Sequence, residues 1–299
     1  MKPITAAVLQ AAQTGFNATF QRGFETVTPS WMMIAMLLPS TTKTETYGWM
    51  RDLPGMREWV GQRVVNNLES EGAQLTNKDW EHTIGVDRND IEDDALGIYS
   101  LMFSQQGEIV ARHPDDLVWA QLALGFAAKG FDGKTFFSAT HVGYDRKGKE
   151  TAYSNLQGGA GAPWILADLS RSFFKPLIFQ ERKKAEFVAL NNPSDANVFM
   201  DRQFLFGADA RYVTGFGFHQ LAFGSKDALD AANFEAAQLA METQRRPDGS
   251  PLPVKATHLI TGPSNRAAAR TLLEKEYLAG GENNPHYQAV ELHISPWLE

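Results

Sequence analysis

Residues 44–59, TETYGWMRDLPGMREW, place two tryptophans, a tyrosine and two methionines around Asp52-Leu53-Pro54-Gly55, a strong turn signal. A turn tip ordinarily faces water. Here Tyr47, Trp49, Met50, Leu53, Pro54, Met56 and Trp59 would form an apolar patch, and such patches mark contact surfaces. The flanking residues extend the picture. Residues 41–50 alternate, with Thr42, Thr44 and Thr46 on one side and Lys43, Glu45 and Tyr47 on the other. Residues 80–86 alternate again, Trp80, His82, Ile84 and Val86 against Glu81, Thr83 and Gly85. The simplest reading is a long two-stranded excursion over 41–86. Such a ribbon is marginal in water by itself. Its tip is therefore expected to be buried against another chain, with folding back on its own body as the alternative.

An amphipathic helix is predicted over 4–24, where Phe16, Phe20 and Phe24 share one face. It is either docked on its own core or an arm reaching a neighbouring subunit; its terminal position and the separating TVTPSW favour the arm. Asp87 or Asp90 can cap a helix whose stripe is Ile98, Met102 and Ile109, ending at Arg112. Pro114 is expected to open a second helix that Gly130 closes. Residues 131–163 read as loops and 164–224 as mostly strand. Leu229, Phe234, Ala237 and Met241 space a helix over 227–246, and ATHLITGPS reads as a short strand. NRAAARTLLEKEYLAGG reads as a helix ending at Gly280, and AVELHISPW as a last strand. The elements interleave, which makes the fold class α+β.

The chain has 299 residues, enough for a substantial core. Its 28 basic and 35 acidic residues leave a formal charge of −7, with no basic stripe to grip nucleic acid. The absence of cysteine excludes disulfides, thiolate metal sites and cysteine nucleophiles. The longest apolar run, residues 31–38, falls well short of the roughly 20 residues a membrane helix needs. No secretory signal is read at the start, and a soluble chain is expected.

Candidate chemistry is thin. AKGFDGKT, residues 128–135, approaches a phosphate loop, but Ala128 stands at the first glycine position and the segment follows a helix. Asp87, Asp90, Glu92, Asp93 and Asp94 lack the spacing of a calcium loop and read as helix capping and a solvated face. His82, His113, His141, His219, His258, His286 and His293 include no i, i+4 metal pair; His141 is the most suggestive, with a structural hydrogen-bonding role favoured. No G-x-S-x-G elbow and no G-x-G-x-x-G fingerprint occurs. No catalytic, cofactor or metal residue is assigned, and a structural protein is expected.

Long segments nevertheless carry a resemblance. TGFNATFQRGF, STTKTETYGWMRDLPGMREWVGQRVVNNL, NKDWEHTIGVDRNDIEDDALGIY, HPDDLVWAQLALGF, FKPLIFQERKKAEFVALNNP, NVFMDRQFLFGADARYVTGFGFHQLAFGSK and LEKEYLAGGENNPHYQAVELHISPWL resemble, in order, the Mu-like phage major head subunit family (subunit T type). The resemblance implies a major capsid protein with the Hong Kong 97-type fold. Its parts would be an N-terminal arm (1–40), an extended β-hairpin loop (41–86), a peripheral domain (87–226, with a spine helix over 87–129 and a β-rich part over 164–226) and an axial domain (227–299). In many relatives the peripheral strands come near the chain's end, so a rearranged order of the parts is expected here. Copies would form hexamers and pentamers that tile an icosahedral shell around double-stranded DNA, held without sequence-specific binding, inside the virion, with assembly in the host cytoplasm. Scaffold, portal and decoration proteins would be partners, with no membrane. Tyr47, Trp49, Met50, Leu53, Pro54, Met56 and Trp59 of the loop, and Phe16, Phe20 and Phe24 of the arm, would be inter-subunit contacts. The alternatives are a cargo-holding, encapsulin-like compartment of the same fold and a metal-dependent enzyme using the 87–94 acids.

Overall fold

The computed structural model describes residues 4–47, 73–93, 97–278 and 280–299. The first helix, α1 (Ala6–Glu25), starts where the Thr5 hydroxyl accepts from the Val8 amide at 3.3 Å. It is followed by β1 (Ala35–Pro39), β2 (Thr44–Tyr47), β3 (Ala73–Thr76) and β4 (Lys78–Asp87). Asp87 then caps the short α2 (Arg88–Glu92) by accepting from the Asn89 amide at 2.8 Å. Next comes α3 (Gly97–Ala123), 27 residues long. The chain continues through β5 (His141–Tyr144), β6 (Glu150–Tyr153), β7 (Leu156–Gln157), β8 (Trp164–Ala167), β9 (Leu177–Leu190), α4 (Ala196–Asp201), β10 (Gln203–Phe216), β11 (Ala222–Ser225), α5 (Ala231–Glu242), β12 (His258–Thr261), α6 (Arg266–Leu273) and β13 (Glu291–Ile294).

Among the described residues, two larger sheets and two hairpins, β2–β3 and β5–β6, organise these strands. The first has the order β1-β9-β10-β4, with β1 parallel to β9 and the other pairs antiparallel. The second has the order β13-β12-β8-β11-β7. The strand-rich stretch 164–226 is therefore not one unit. β9 and β10 build the first sheet, whereas β8 and β11 join β12 and β13 in the second. Each set contains buried apolar stretches, and periodicity alone does not say which sheet a strand enters. Across the boundary expected at 226 the chain passes back and forth between the two sheets.

The alternation read over 80–86 holds: Trp80, His82, Ile84 and Val86 are at least half-buried while Glu81, Thr83 and Gly85 are exposed. Its destination differs. β4 pairs with β10 over its whole length, Asp87 opposite Gln203 and Lys78 opposite Tyr212. The return strand of the excursion is β3, paired antiparallel to β2. Residues 35–39, expected in the arm, are a strand of the first sheet.

Three apolar clusters form the core. The distal one joins α1 and α3 to the far end of the first sheet through Leu9, Phe16, Val86, Phe103, Phe204 and Phe206. The middle one joins the near end of α3 to both sheets through Trp31, Trp119, Phe136, Ile165, Phe179 and Phe216. The last packs the second sheet on α5 and α6, where Phe234, Ala237 and Met241 are buried as their spacing predicts.

The long helix departs from expectation. α3 runs through Pro114 instead of breaking into two. Proline removes one N–H and leaves the carbonyl four residues earlier without its helical partner. The loss is offset next door: Asp115 is buried and accepts from the Ser30 amide at 2.9 Å, the Ser30 hydroxyl at 3.0 Å and the Trp31 amide at 2.6 Å. The buried face of α3 carries Phe103, Gly107, Val118, Trp119 and Leu122. The stripe read as Ile98, Met102 and Ile109 faces outward, with Ile98 70% exposed. Likewise α6 stops at Leu273, well before Gly280. The Asn284 side chain takes over its end, donating to the carbonyls of Leu272 and Lys275 at 2.8 Å each.

α1 lies on α3 through two glycines. A Cβ on Gly23 would collide with the Ser104 carbonyl, and one on Gly107 with the Phe20 carbonyl. Backbone faces backbone at this crossing, so neither neighbour can yield by changing rotamer. Gly107→Ala should therefore lift α1 and destabilise the subunit by about 1–3 kcal/mol, the usual cost of overpacking. Faster amide exchange over 6–25, with β9 and β10 unchanged, would register the effect in hydrogen-exchange mass spectrometry.

Candidate assembly surfaces

The expected arm contacts sit inside this subunit. Phe16 is 3% exposed; its ring lies 4.3 Å from Phe103, stacked, and 5.1 Å from Phe206, edge-on. Phe20 is 1% exposed and 5.4 Å from the Phe187 ring; Phe24, half-buried, stacks on Phe20 at 6.1 Å. The Asn191 side chain adds a hydrogen bond to Gln13 at 3.1 Å. This corrects the reading of Phe16 and Phe20 as contacts to a neighbour. The i, i+4 spacing put the three rings on one face, and that face docks on the subunit's own core, the alternative that the terminal position and TVTPSW did not favour.

Of the loop residues, only Tyr47 lies within the described ones; Trp49, Met50, Leu53, Pro54, Met56 and Trp59 lie outside them. Tyr47 is buried at the root of the excursion, and its hydroxyl donates to Gln180 Oε1 at 2.8 Å. Gln180, wholly buried in β9, donates to Asn77 Oδ1 at 2.8 Å. Asn77 in turn donates to the Ser40 hydroxyl and the Thr42 carbonyl, both at 2.9 Å. Ser40 donates to Glu45 at 3.0 Å, and the Thr41 and Thr42 amides donate to the same oxygen at 2.8 and 2.9 Å. Five side chains thus close a polar knot where β2 and β3 leave the first sheet. Burial pushes the Tyr47 phenol up to about 12, so it stays a donor. The Thr42 and Thr41 amides, with the Ser40 hydroxyl, hold the Glu45 carboxyl down to about 2.

Several large apolar side chains remain in water. Leu101 and Ile98 are 75% and 70% exposed on the outer face of α3. At the far tip of the first sheet Phe199 and Met200 on α4 are 83% and 76% exposed, beside half-exposed Leu190. These are the positions that a second protein surface would cover.

The chemistry-bearing candidates fall out differently. Residues 128–135 form a tight turn in which the Gly130 amide donates to the Lys134 carbonyl at 2.7 Å, not an open phosphate cradle. The acids at 87–93 cap and decorate α2: Asp87 as above, Glu92 paired with Arg88 at 3.0 Å, and Asp90 accepting from the Tyr99 hydroxyl at 2.5 Å. Asp94 lies outside the described residues. A cluster that sequence spacing gave no sign of does form: Asp132, His141 and His219 converge between the two sheets. Burial, and secondarily the neighbouring His141, pushes the His219 pKa well down. Asn155, fully buried, fixes the surrounding backbone by donating to the carbonyls of Phe136, His219 and Ala222 at 2.9–3.2 Å.

The architecture is that of phage head proteins. The chain superposes on the procapsid subunit of bacteriophage JBD30 with a TM-score of 0.87 at 40% identity, over 99% of this chain and 100% of that one. It superposes on the JBD30 capsid subunit with 0.78 at 29% identity, covering all of both. The major capsid protein of Escherichia phage Mu is 38% identical over 304 aligned residues, 99% of each chain. The Mu-like prophage FluMu major head subunit of Haemophilus influenzae is 34% identical, over 93% of this chain and 92% of that one. Residues 9–298 match the model of the Mu-like prophage major head subunit gpT. The chain belongs to that family; its fold is the Hong Kong 97 type, and it is a major capsid protein of a phage head. No helix among the described residues is long and apolar enough to cross a membrane.

The knot at the loop root carries a pH dependence. Glu45 has a folded value near 2 against an ordinary 4.5, so its contribution is complete above about pH 4.5 and is lost as pH falls toward 2. Glu45→Gln should show a flatter acid-unfolding profile in that window, followed by tryptophan fluorescence. Identical acid profiles for the two proteins would remove Glu45 from the account.

Proposed function

We propose that the subunits tile the head through three surfaces: the excursion rooted at β2 and β3, the outer face of α3, and the α4 tip of the first sheet. Copies joined by repeated heterologous contacts close into hexamers and pentamers and then into a shell. The observation that supports this reading most directly is the set of large apolar side chains left in water at Ile98, Leu101, Phe199 and Met200. In the same reading α3 is the spine helix, and the first sheet with α1 and α3 is the peripheral domain. The second sheet with α5 and α6 is the axial domain. The knot around Gln180 aims the excursion without occupying its tip. Trp49, Met50, Leu53, Pro54, Met56 and Trp59 then serve as the aromatic and apolar anchors on a neighbour, where such residues concentrate binding energy.

The role is structural rather than catalytic. Asp87, Asp90 and Glu92 are used for capping and pairing, and no observation favours a cargo-holding compartment. The JBD30 capsid is decorated with minor capsid protein trimers; an equivalent decoration, with scaffold and portal proteins, completes the proposed set of partners. The net charge of −7 suits a shell that holds double-stranded DNA without gripping it.

Trp59→Ala tests the anchor reading. It should leave the thermal midpoint of the free subunit within a few degrees of wild type and reduce the yield of sedimenting shells at least tenfold on sucrose gradients. Normal shell yield from a folded Trp59→Ala subunit would count against the loop as an anchor. Phe199→Ser makes the parallel test of the α4 tip: an exposed residue changes stability by no more than about 0.5 kcal/mol, so any loss of shells reports a lost contact.

A further inference from the structure

Asp132 comes from the turn after α3, His141 opens β5, and His219 lies in the turn between β10 and β11. One ligating atom from each lies within 4.8 Å of the other two. His141 Nε2 is 3.2 Å from the Phe136 carbonyl, which can only accept, so that nitrogen carries a hydrogen. His141 Nδ1 is 2.5 Å from Asp132 Oδ2. Two lone pairs do not face each other at that distance, so a proton lies between them in this arrangement. His219 stacks on His141 with centroids 3.8 Å apart and planes 10° from parallel, and its Nε2 is buried with no hydrogen-bond partner. A proton shared by Asp132 and His141 leaves that nitrogen unpaired, which is costly. A metal held by all three side chains would replace that proton and engage the orphaned His219 nitrogen as well.

We propose that Asp132, His141 and His219 form a site for a divalent transition metal of the zinc class. Two imidazoles and a carboxylate are the donor set such an ion takes, with a fourth position open. Asp132 and His219 also line a cavity of about 270 Å³, together with Phe131, Tyr153, Gln220 and Arg246. The His141 Nε2–H to Phe136 carbonyl bond is the kind of outer support that metal-bound histidines use to fix the tautomer. Asn155 holds the same Phe136 carbonyl and that of His219, so the frame around the site is rigid. Uptake turns the stacked rings until their in-plane lone pairs converge. It also opens the Asp132–His141 separation to about 3.3 Å, the edge of a tetrahedron with ligands about 2.0–2.1 Å from the ion. The bound ion then fastens the β5–β6 hairpin and the turn after α3 to the point where the chain crosses from the first sheet to the second. It thereby acts as a clip that stabilises the folded subunit.

The test uses the full, untagged chain, stripped with EDTA and dialysed, with Co²⁺ as a spectroscopic probe. The expected result is one Co²⁺ per subunit with the intense visible absorption of a four-coordinate ion, displacement by Zn²⁺, and a thermal midpoint several degrees higher at saturating Zn²⁺. Asp132→Asn, which keeps the side-chain shape, and His219→Ala should each weaken uptake at least tenfold. Their melting in EDTA confirms that they are folded. Absence of a spectral change and of a melting shift in the wild type at millimolar metal would overturn the proposal. So would equal uptake by both folded variants, which would place the ion on other histidines.

Discussion

The buried carboxylate of Asp115 is the fixed point of the subunit. It sits one residue after a proline in the middle of α3, where the helix has lost a backbone bond, and holds the Ser30 and Trp31 amides at 2.9 and 2.6 Å. Trp119, one turn further on, donates to the Ser30 hydroxyl at 2.9 Å, and Trp31 packs 4.4 Å from Phe179 of β9. The chain leaving α1 is thus pinned to the long helix just before it becomes β1. Distal to this point, α1 rests on α3 through Gly23, Gly107 and the Phe16–Phe103–Phe206 group. On the other side, β1 pairs with β9 and leads to the loop root. One carboxylate thus fastens the chain between α1 and the root of the excursion.

This arrangement separates rigidity from reach. The frame of α3, β9 and β10 is tied by long antiparallel pairing and a continuous aromatic core. α1 is held to this frame by one helix face, through Leu9, Phe16 and Phe20, and by two glycine contacts to α3. The excursion is fastened at its root by a polar knot in which Gln180, Asn77, Tyr47, Ser40 and Glu45 satisfy one another. A buried network of this kind fixes direction, because losing one member strands the rest.

Much of this was legible in the sequence, and the reasons are local. The alternation of β4, the Asp87 cap and the spacing of Phe234, Ala237 and Met241 in α5 each depend on neighbours a few residues away. The family resemblance added the head-protein role and the fold. What was hidden depends on distant partners. Pro114 reads as a helix start unless Asp115 is known to anchor Ser30 and Trp31. Phe16 and Phe20 read equally well as an arm or as core, and only the fit of Gly23 against Ser104 decides. The strand at 164–167 and the apolar start of the strand at 177–190 are both fully buried, yet they enter different sheets. Asp132, His141 and His219 have no spacing signature, because three separate turns bring them together.

The central claim is that this chain builds a phage head. Electron microscopy of the wild-type chain, expressed alone and together with the neighbouring head genes, tests it most directly. Closed shells, or tubes and six-fold rings of the same subunit, are the predicted result, with reconstruction placing residues 44–59 against an adjacent copy. Only small discrete particles in both preparations, at concentrations where the subunit is folded, would contradict it.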